Sequence, residues 1–216
     1  MSELEDLVRR ELSARGLVVA LPFASGLAAF LGILLRANEG MNLISRREAV
    51  PEVLVGRHLL EALEALPLLP SPGGRRFRLL DIGSGGGFPA IPLLLARPDL
   101  DGVLVESIGK KCRFLEEALR VLGLTARVVN ARFPGPALEL MRKLPPCDLL
   151  TSRAVAGAGE LARAARPVLA PGAVALFWTT EPLLEDLRRA LPAARVSFRL
   201  SPGADRRGVA QVECFT

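Results

Sequence analysis

The segment Leu79-Leu80-Asp81-Ile82-Gly83-Ser84-Gly85-Gly86-Gly87-Phe88-Pro89 constrains this 216-residue chain more than any other. An apolar run broken by one acid reads as a buried strand. The glycines that follow permit a tight turn and close approach of the backbone to a ligand. The proline beyond them suits a first helical turn, where its missing N–H costs little. Strand, glycine loop and helix in that order place a ligand at the carboxyl end of a sheet, beside a helix N-terminus.

The spacing narrows the ligand. A phosphate loop needs GxxxxGK[ST], and no lysine follows here. A dinucleotide fingerprint needs GxGxxG, but Phe88 occupies the last glycine position. The actual pattern is GxGxG, with Asp81 two residues before the first glycine. A cofactor without a pyrophosphate does not need the distant third glycine. Glu106 follows Gly87 by nineteen residues and ends the next apolar run. A carboxylate there can accept hydrogen bonds from both ribose hydroxyls of an adenosine. Loop and acid together point to a nucleoside cofactor; an NAD-binding domain is the less favoured reading.

From residue 77 onward, short apolar runs alternate with helical stretches. Strands are expected at 77–82, 102–106, 126–129, 148–151, 173–178, 195–200 and 209–215. Helices are expected near 88–96, 109–122, 136–143, 157–168 and 181–190. Such alternation implies right-handed βαβ crossovers and an α/β fold with helices on both faces of a mostly parallel sheet. The last two strands lack a helix between them and read as an antiparallel hairpin. The sheet is therefore mixed, with about seven strands.

The first seventy residues differ. An amphipathic helix is expected over 2–14, and further helices over about 22–38 and about 51–66. The turn-rich stretch 67–76 then marks a boundary between an N-terminal helical cap, 1–70, and the main domain, 71–216. Residues 16–35 carry no charge over a length that could span a bilayer. Acidic residues precede them, unlike a signal peptide, and Pro22 and Gly26 fit a buried helix better. No membrane role is expected.

Composition adds two constraints. The net charge is +5, almost all from arginine, since lysine occurs only at Lys110, Lys111 and Lys143. Arginine pairs bidentately with phosphate, so a nucleic-acid partner is allowed. Cys112, Cys147 and Cys214 form no CxxC pair, and His58 is the single histidine. No metal site of usual ligands and no disulfide framework follow, which suits a cytoplasmic location.

With these residues read, the chain resembles the RsmG (GidB) family of bacterial methyltransferases. The resemblance rests on MNLISRRE (41–48), GRHLLEAL (56–63), LLDIGSGGGFPAIPLLLARPDL (79–100), VESIGKKCRFL (105–115) and LLTSRAVA (149–156). It implies a class I, Rossmann-like fold, S-adenosylmethionine as cofactor, and methylation of a guanine N7 in 16S ribosomal RNA. The 30S subunit or its RNA would be the partner of a monomeric enzyme. By position, Gly83, Phe88, Phe133, Pro134 and Arg153 match cofactor-contacting positions, and Arg57, His58 and Lys110 also match. Asp81, Ser84, Gly85, Gly87 and Glu106 complete the expected cofactor set. Arg153 is the expected catalytic residue; Asn42, Arg57 and Lys110 are the substrate-binding candidates. The chain departs from the family at Pro134, where an acid is usual, and at Leu176-Phe177-Trp178-Thr179, where Ala-Leu-Lys-Gly is usual. These departures leave open a different substrate on the same fold, or a non-catalytic RNA-binding relative.

The implied reaction needs little chemistry from side chains. Guanine N7 carries a lone pair without deprotonation, so no general base is required and positioning dominates. His58 beside Arg57 reads as a helix-packing residue, and Trp178 as packing before base stacking. Lys110 and Lys111 open a helix against its macrodipole, which is tolerable if they face phosphate. Asn42, between helices, either caps a segment or reaches the substrate.

Overall fold

A computed structural model describes residues 2–17, 20–153 and 157–213. Its frame is one sheet of seven strands: β1 (Phe77–Ile82), β2 (Leu100–Glu106), β3 (Ala126–Asn130), β4 (Cys147–Arg153), β5 (Leu169–Thr180), β6 (Arg195–Leu200) and β7 (Arg207–Glu213). Their order is β3-β2-β1-β4-β5-β7-β6. The first five run parallel, while β7 pairs antiparallel with both β5 and β6. The expected mixed sheet and terminal hairpin are therefore present. Only β5 begins well before its expected start. A register irregularity against β4 lets the strand continue back through Pro171 and Gly172.

Nine α-helical pieces surround the sheet among the described residues: α1 (Glu3–Ala14), α2 (Leu21–Met41), α3 (Pro51–Val53), α4 (Leu60–Leu63), α5 (Ala90–Ala96), α6 (Gly109–Val121), α7 (Gly135–Met141), α8 (Ala158–Ala165) and α9 (Leu184–Ala190). Ser2 starts α1 by accepting a hydrogen bond from the Glu5 N–H at 3.2 Å, and acids fill the first turn. The expected helix over 51–66 is not uniform. Between α3 and α4 the chain widens into a π-helical turn, Leu54–Leu59, which carries Arg57 and His58. Hydrophobic periodicity does not distinguish a widened turn from a regular one.

Side chains alternate across the sheet, and the two faces have separate cores. Leu79, Leu104, Leu149 and Leu176 pack with α1, α2, the π-turn, α5 and α6. Leu80, Val105, Leu150 and Phe177 pack with α7, α8 and α9. Helix α2 is long and apolar enough to cross a membrane by composition, but here Leu27, Phe30, Leu31 and Leu34 are fully buried in the first core. The helices of residues 2–70 thus share one hydrophobic core with strands and helices of the main sheet.

This alternation matters for function. Asp81, Glu106, Thr151, Arg153 and Trp178 stand at even spacing from those leucines, so they fall on the face that the N-terminal helices cover. They also stand at one sheet edge: Ile82 pairs with Val105 and Ser152, and Arg153 pairs with Trp178.

Candidate active site

The glycine loop leaves β1 with three glycines of positive φ: Gly83 at 78°, Gly85 at 51° and Gly87 at 89°. Residues with a Cβ rarely adopt such angles. The Gly83 and Ser84 N–H groups donate to the Val105 carbonyl at 2.9 and 3.2 Å, tying the loop to β2. A Cβ on Gly87 would come within 2.7 Å of Ile91 and 3.2 Å of Phe30, so this glycine is needed for packing. Around Gly85 the space is open, with Gly83 O at 3.7 Å the nearest atom. That glycine serves the turn and the approach of a ligand.

Glu106 closes the loop from β2. Its Oε2 accepts the Gly85 N–H at 3.0 Å and its Oε1 accepts the Ile108 N–H at 2.8 Å. These bonds fix the carboxylate without exhausting its lone pairs, so it can still accept from a diol. A cavity of about 280 Å³ lies over the loop. Gly83, Ser84, Gly85, Gly86, Phe88 and Glu106 form its floor, with Leu43, Ile44, His58, Lys111 and Arg153 around them.

Asp81 is placed differently. It is 1% exposed and accepts a 2.6 Å hydrogen bond from Thr151 Oγ1, while Oδ2 has no partner. Burial pushes its pKa up to about 6, against the pull of its hydrogen bonds. It supports the loop from beneath and does not line the cavity. Phe133 and Pro134 are not among the residues that line it either. Phe133 packs toward the opposite core, and Pro134 is exposed at the start of α7. The turn that carries them leaves β3 beside Glu106, whose carbonyl accepts the Ala131 N–H at 3.0 Å. Lys110 is exposed, and its neighbour Lys111 is the lysine that reaches the cavity, one helical step round α6.

A second cleft, about 410 Å³, adjoins the first through His58 and Arg153, which line both. Arg153 projects from the end of β4. Its guanidinium donates to Glu61 Oε2 at 3.2 Å and to the His58 carbonyl at 3.4 Å, and lies 5.9 Å from the Phe88 ring centre. Burial lowers its pKa from the usual arginine range, although the neighbouring Glu61 carboxylate opposes that shift. Arg57 reaches this cleft too, paired with Glu48 at 2.9 Å. Glu48 also accepts from Ser45 Oγ at 2.7 Å; that bond is the largest cause of its lowered pKa. Asn42 is not part of either cavity. It ends α2 in a left-handed conformation, φ 49°, and lines a separate depression with Asn38 and Arg46.

His58 and Trp178 take the packing roles expected of them. His58 is 7% exposed, with its ring centre 5.4 Å from that of Phe88. Its Nε2 has no hydrogen-bond partner and stands 3.7 Å from Glu48. Burial, helped by the charge of Arg153, lowers its pKa to about 4, so the imidazole is neutral at pH 7. Trp178 donates from Nε1 to the Glu61 carbonyl at 2.8 Å. Sequence reading missed Glu61 and Ile44; Lys111 stood there only beside Lys110, as a phosphate-facing lysine. Glu61 sits on an apolar helix face, where an acid among leucines is the one available signal.

A seven-stranded sheet in this order with β7 antiparallel, a glycine loop after β1 and an acid ending β2 defines a class I S-adenosylmethionine-dependent methyltransferase. Comparison with known proteins specifies the family. The GidB family, described as rRNA small subunit methyltransferase G, matches residues 24–197. A ribosomal RNA small subunit methyltransferase G of Acidiphilium cryptum is 41% identical over 151 residues, covering 70% of this chain and 65% of that relative. Its counterpart in Xanthomonas oryzae pv. oryzae is 38% identical over 165 residues, 76% of this chain and 72% of that one. The alignment thus spans about two thirds of these relatives' length. A cofactor-bound protein from MTB shares the fold at a TM-score of 0.60 and 20% identity, covering 100% of this chain and 99% of that one. The chain belongs to the rRNA small subunit methyltransferase G family.

Proposed function

We propose that this chain methylates N7 of a guanine in 16S ribosomal RNA, using S-adenosylmethionine. The observation that carries this reading is the pair of adjoining cavities at one sheet edge, one over the glycine loop and one beyond Arg153, in a chain of this family. The first cavity fits the cofactor. Gly85 leaves room where a Cβ would stand, and Glu106 keeps free lone pairs for ribose hydroxyls. Gly83, Ser84, Gly85 and Phe88 would complete the seat; Asp81 and Gly87 hold its shape.

When bound, S-adenosylmethionine supplies a methyl group on a sulfonium centre. The acceptor N7 needs no deprotonation, and His58, made a weak base by a pKa lowered to about 4, is not called on for one. Arg153 stands where the cavities meet and orients the reacting partners as a fixed cation. Arg57 and Lys111 supply phosphate-facing charge, with Lys111 in place of Lys110. Phe133, Pro134 and Asn42 have no assigned contact in this reading. Residues 1–70 act as a helical cap over the active edge of the 71–216 domain. The protein acts as a monomer in the cytoplasm on the small subunit or its RNA, without a metal.

The test is mass spectrometry of 16S ribosomal RNA from a strain lacking only this gene. Loss of one 7-methylguanosine, restored by the gene, supports the reading. Full modification in the deletion strain refutes it and favours another acceptor.

A further inference from the structure

Glu61 is a buried acid that the mechanism above does not use. It is 8% exposed, on a helix otherwise packed with leucine and alanine. An unpaired carboxylate in that setting is strongly unfavourable, so its partners define its role. Three strands of the sheet converge on it. Oε2 lies 3.2 Å from Arg153 of β4, and Oε1 lies 3.5 Å from Arg207 of β7. Its carbonyl accepts from Trp178 of β5 at 2.8 Å. The two arginines differ in setting: the Arg153 side chain is 15% exposed and that of Arg207 is 40% exposed. Arg207 has solvent as an alternative partner. Arg153 has only Glu61 and the His58 carbonyl among its described acceptors.

We propose that Glu61 is a positioning residue whose carboxylate holds the Arg153 guanidinium at the junction of the two cavities. This rests on the methyl-transfer reading of that site. Glu61 also lines the second cleft, and in this assignment its carboxylate is spent on the arginines, so it acts through Arg153. Without the carboxylate, a guanidinium in this enclosed position turns toward the open cleft and leaves the face of Phe88. The anchor also joins the cap to the sheet, because Glu61 follows directly from the π-turn that carries His58.

The test compares E61Q and E61D with the parent protein, alone and combined with R153A. Three quantities are read: S-adenosylmethionine affinity by calorimetry, steady-state transfer to small subunits from a deletion strain, and the Arg153 Nε–H resonance in 15N-labelled protein. Misplacing a positioning group by about 1 Å can cost a hundredfold, so a partial displacement in E61Q should lower kcat about tenfold or more. KM and cofactor affinity should change less than kcat. E61D keeps the charge but shortens the reach, and should also lower kcat; it guards against failure of E61Q to fold. In the R153A background, E61Q should add little further loss, because the two residues act as one unit. Normal kcat in both Glu61 variants overturns the proposal. So do losses that multiply in the double variant. The Arg153 resonance should be sharp and protected in the parent and averaged in E61Q. An unchanged resonance in E61Q also overturns the proposal. An inactive parent with that resonance change would retain the anchor and reject the activity reading instead.

Discussion

Replacing His58 by glutamine should change how stability depends on pH. The imidazole is 7% exposed and its pKa falls from 6.5 to about 4, chiefly by burial. The unfolded chain therefore takes up a proton at higher pH than the folded one. The sign follows directly: this group's contribution is intact above pH 6.5 and is lost as pH falls from there toward 4. Once both states have titrated, the loss is about 3 kcal/mol. Between pH 7.5 and 5.5 it is on the order of 1 kcal/mol. Asp81 acts in the opposite sense. Its folded pKa is raised from 3.8 to about 6, so acidification through that window favours the folded state. The two contributions therefore oppose each other in the parent protein over this range. H58Q should lose less stability than the parent as pH falls, because the unfolded imidazole no longer takes up a proton that the folded one refuses. Urea denaturation at pH 7.5, 6.5 and 5.5 measures both curves. Parallel curves for the parent and H58Q would refute the burial argument for His58.

Further substitutions probe the loop and its supports. Gly85→Val places a branched side chain at φ 51°, a strain of about 1–3 kcal/mol, in the space left for a ligand. Calorimetry should show S-adenosylmethionine affinity down by roughly tenfold or more, about 1.4 kcal/mol, with far-ultraviolet circular dichroism retained; normal affinity would remove the loop from the cofactor site. Glu106→Ala removes a charged acceptor and should weaken cofactor binding by about 1.5–3 kcal/mol for each ribose hydrogen bond lost. Unchanged affinity there would exclude a ribose role. Trp178→Phe keeps most of the apolar packing but loses the 2.8 Å bond to the Glu61 carbonyl. Its cost should be about 1 kcal/mol in chemical denaturation, and no cost would place that bond among the dispensable ones.

The fold was legible because its signals are local. The LLDIGSGGG run states its own strand and turn, and β1 and β6 have the expected bounds. The face of each strand follows from alternation, which places Glu106 beside the loop without further information. What was not legible depends on contacts distant in sequence. Asp81 looks like a ligand residue by spacing, yet Thr151, seventy positions on, turns it into a buried support. Glu61 reads as an acid on an apolar helix until β4, β5 and β7 bring their partners to it. Lys110 and Lys111 are adjacent, and only the rotation of α6 decides which one reaches the cavity. Phe133 and Pro134 align with the family's cofactor positions, Pro134 without the usual acid, and how the turn after β3 folds decides what they can reach.

The most direct test of the central claim is methyl transfer by the purified protein. Small subunits from a strain lacking the gene are incubated with S-adenosylmethionine carrying a labelled methyl group, and the RNA is then cleaved at 7-methylguanosine. The account predicts one labelled, cleavable guanine in 16S ribosomal RNA, with the signal lost in the Gly85→Val variant. Label at another atom or in another molecule, or no label in the presence of confirmed cofactor binding, would contradict it.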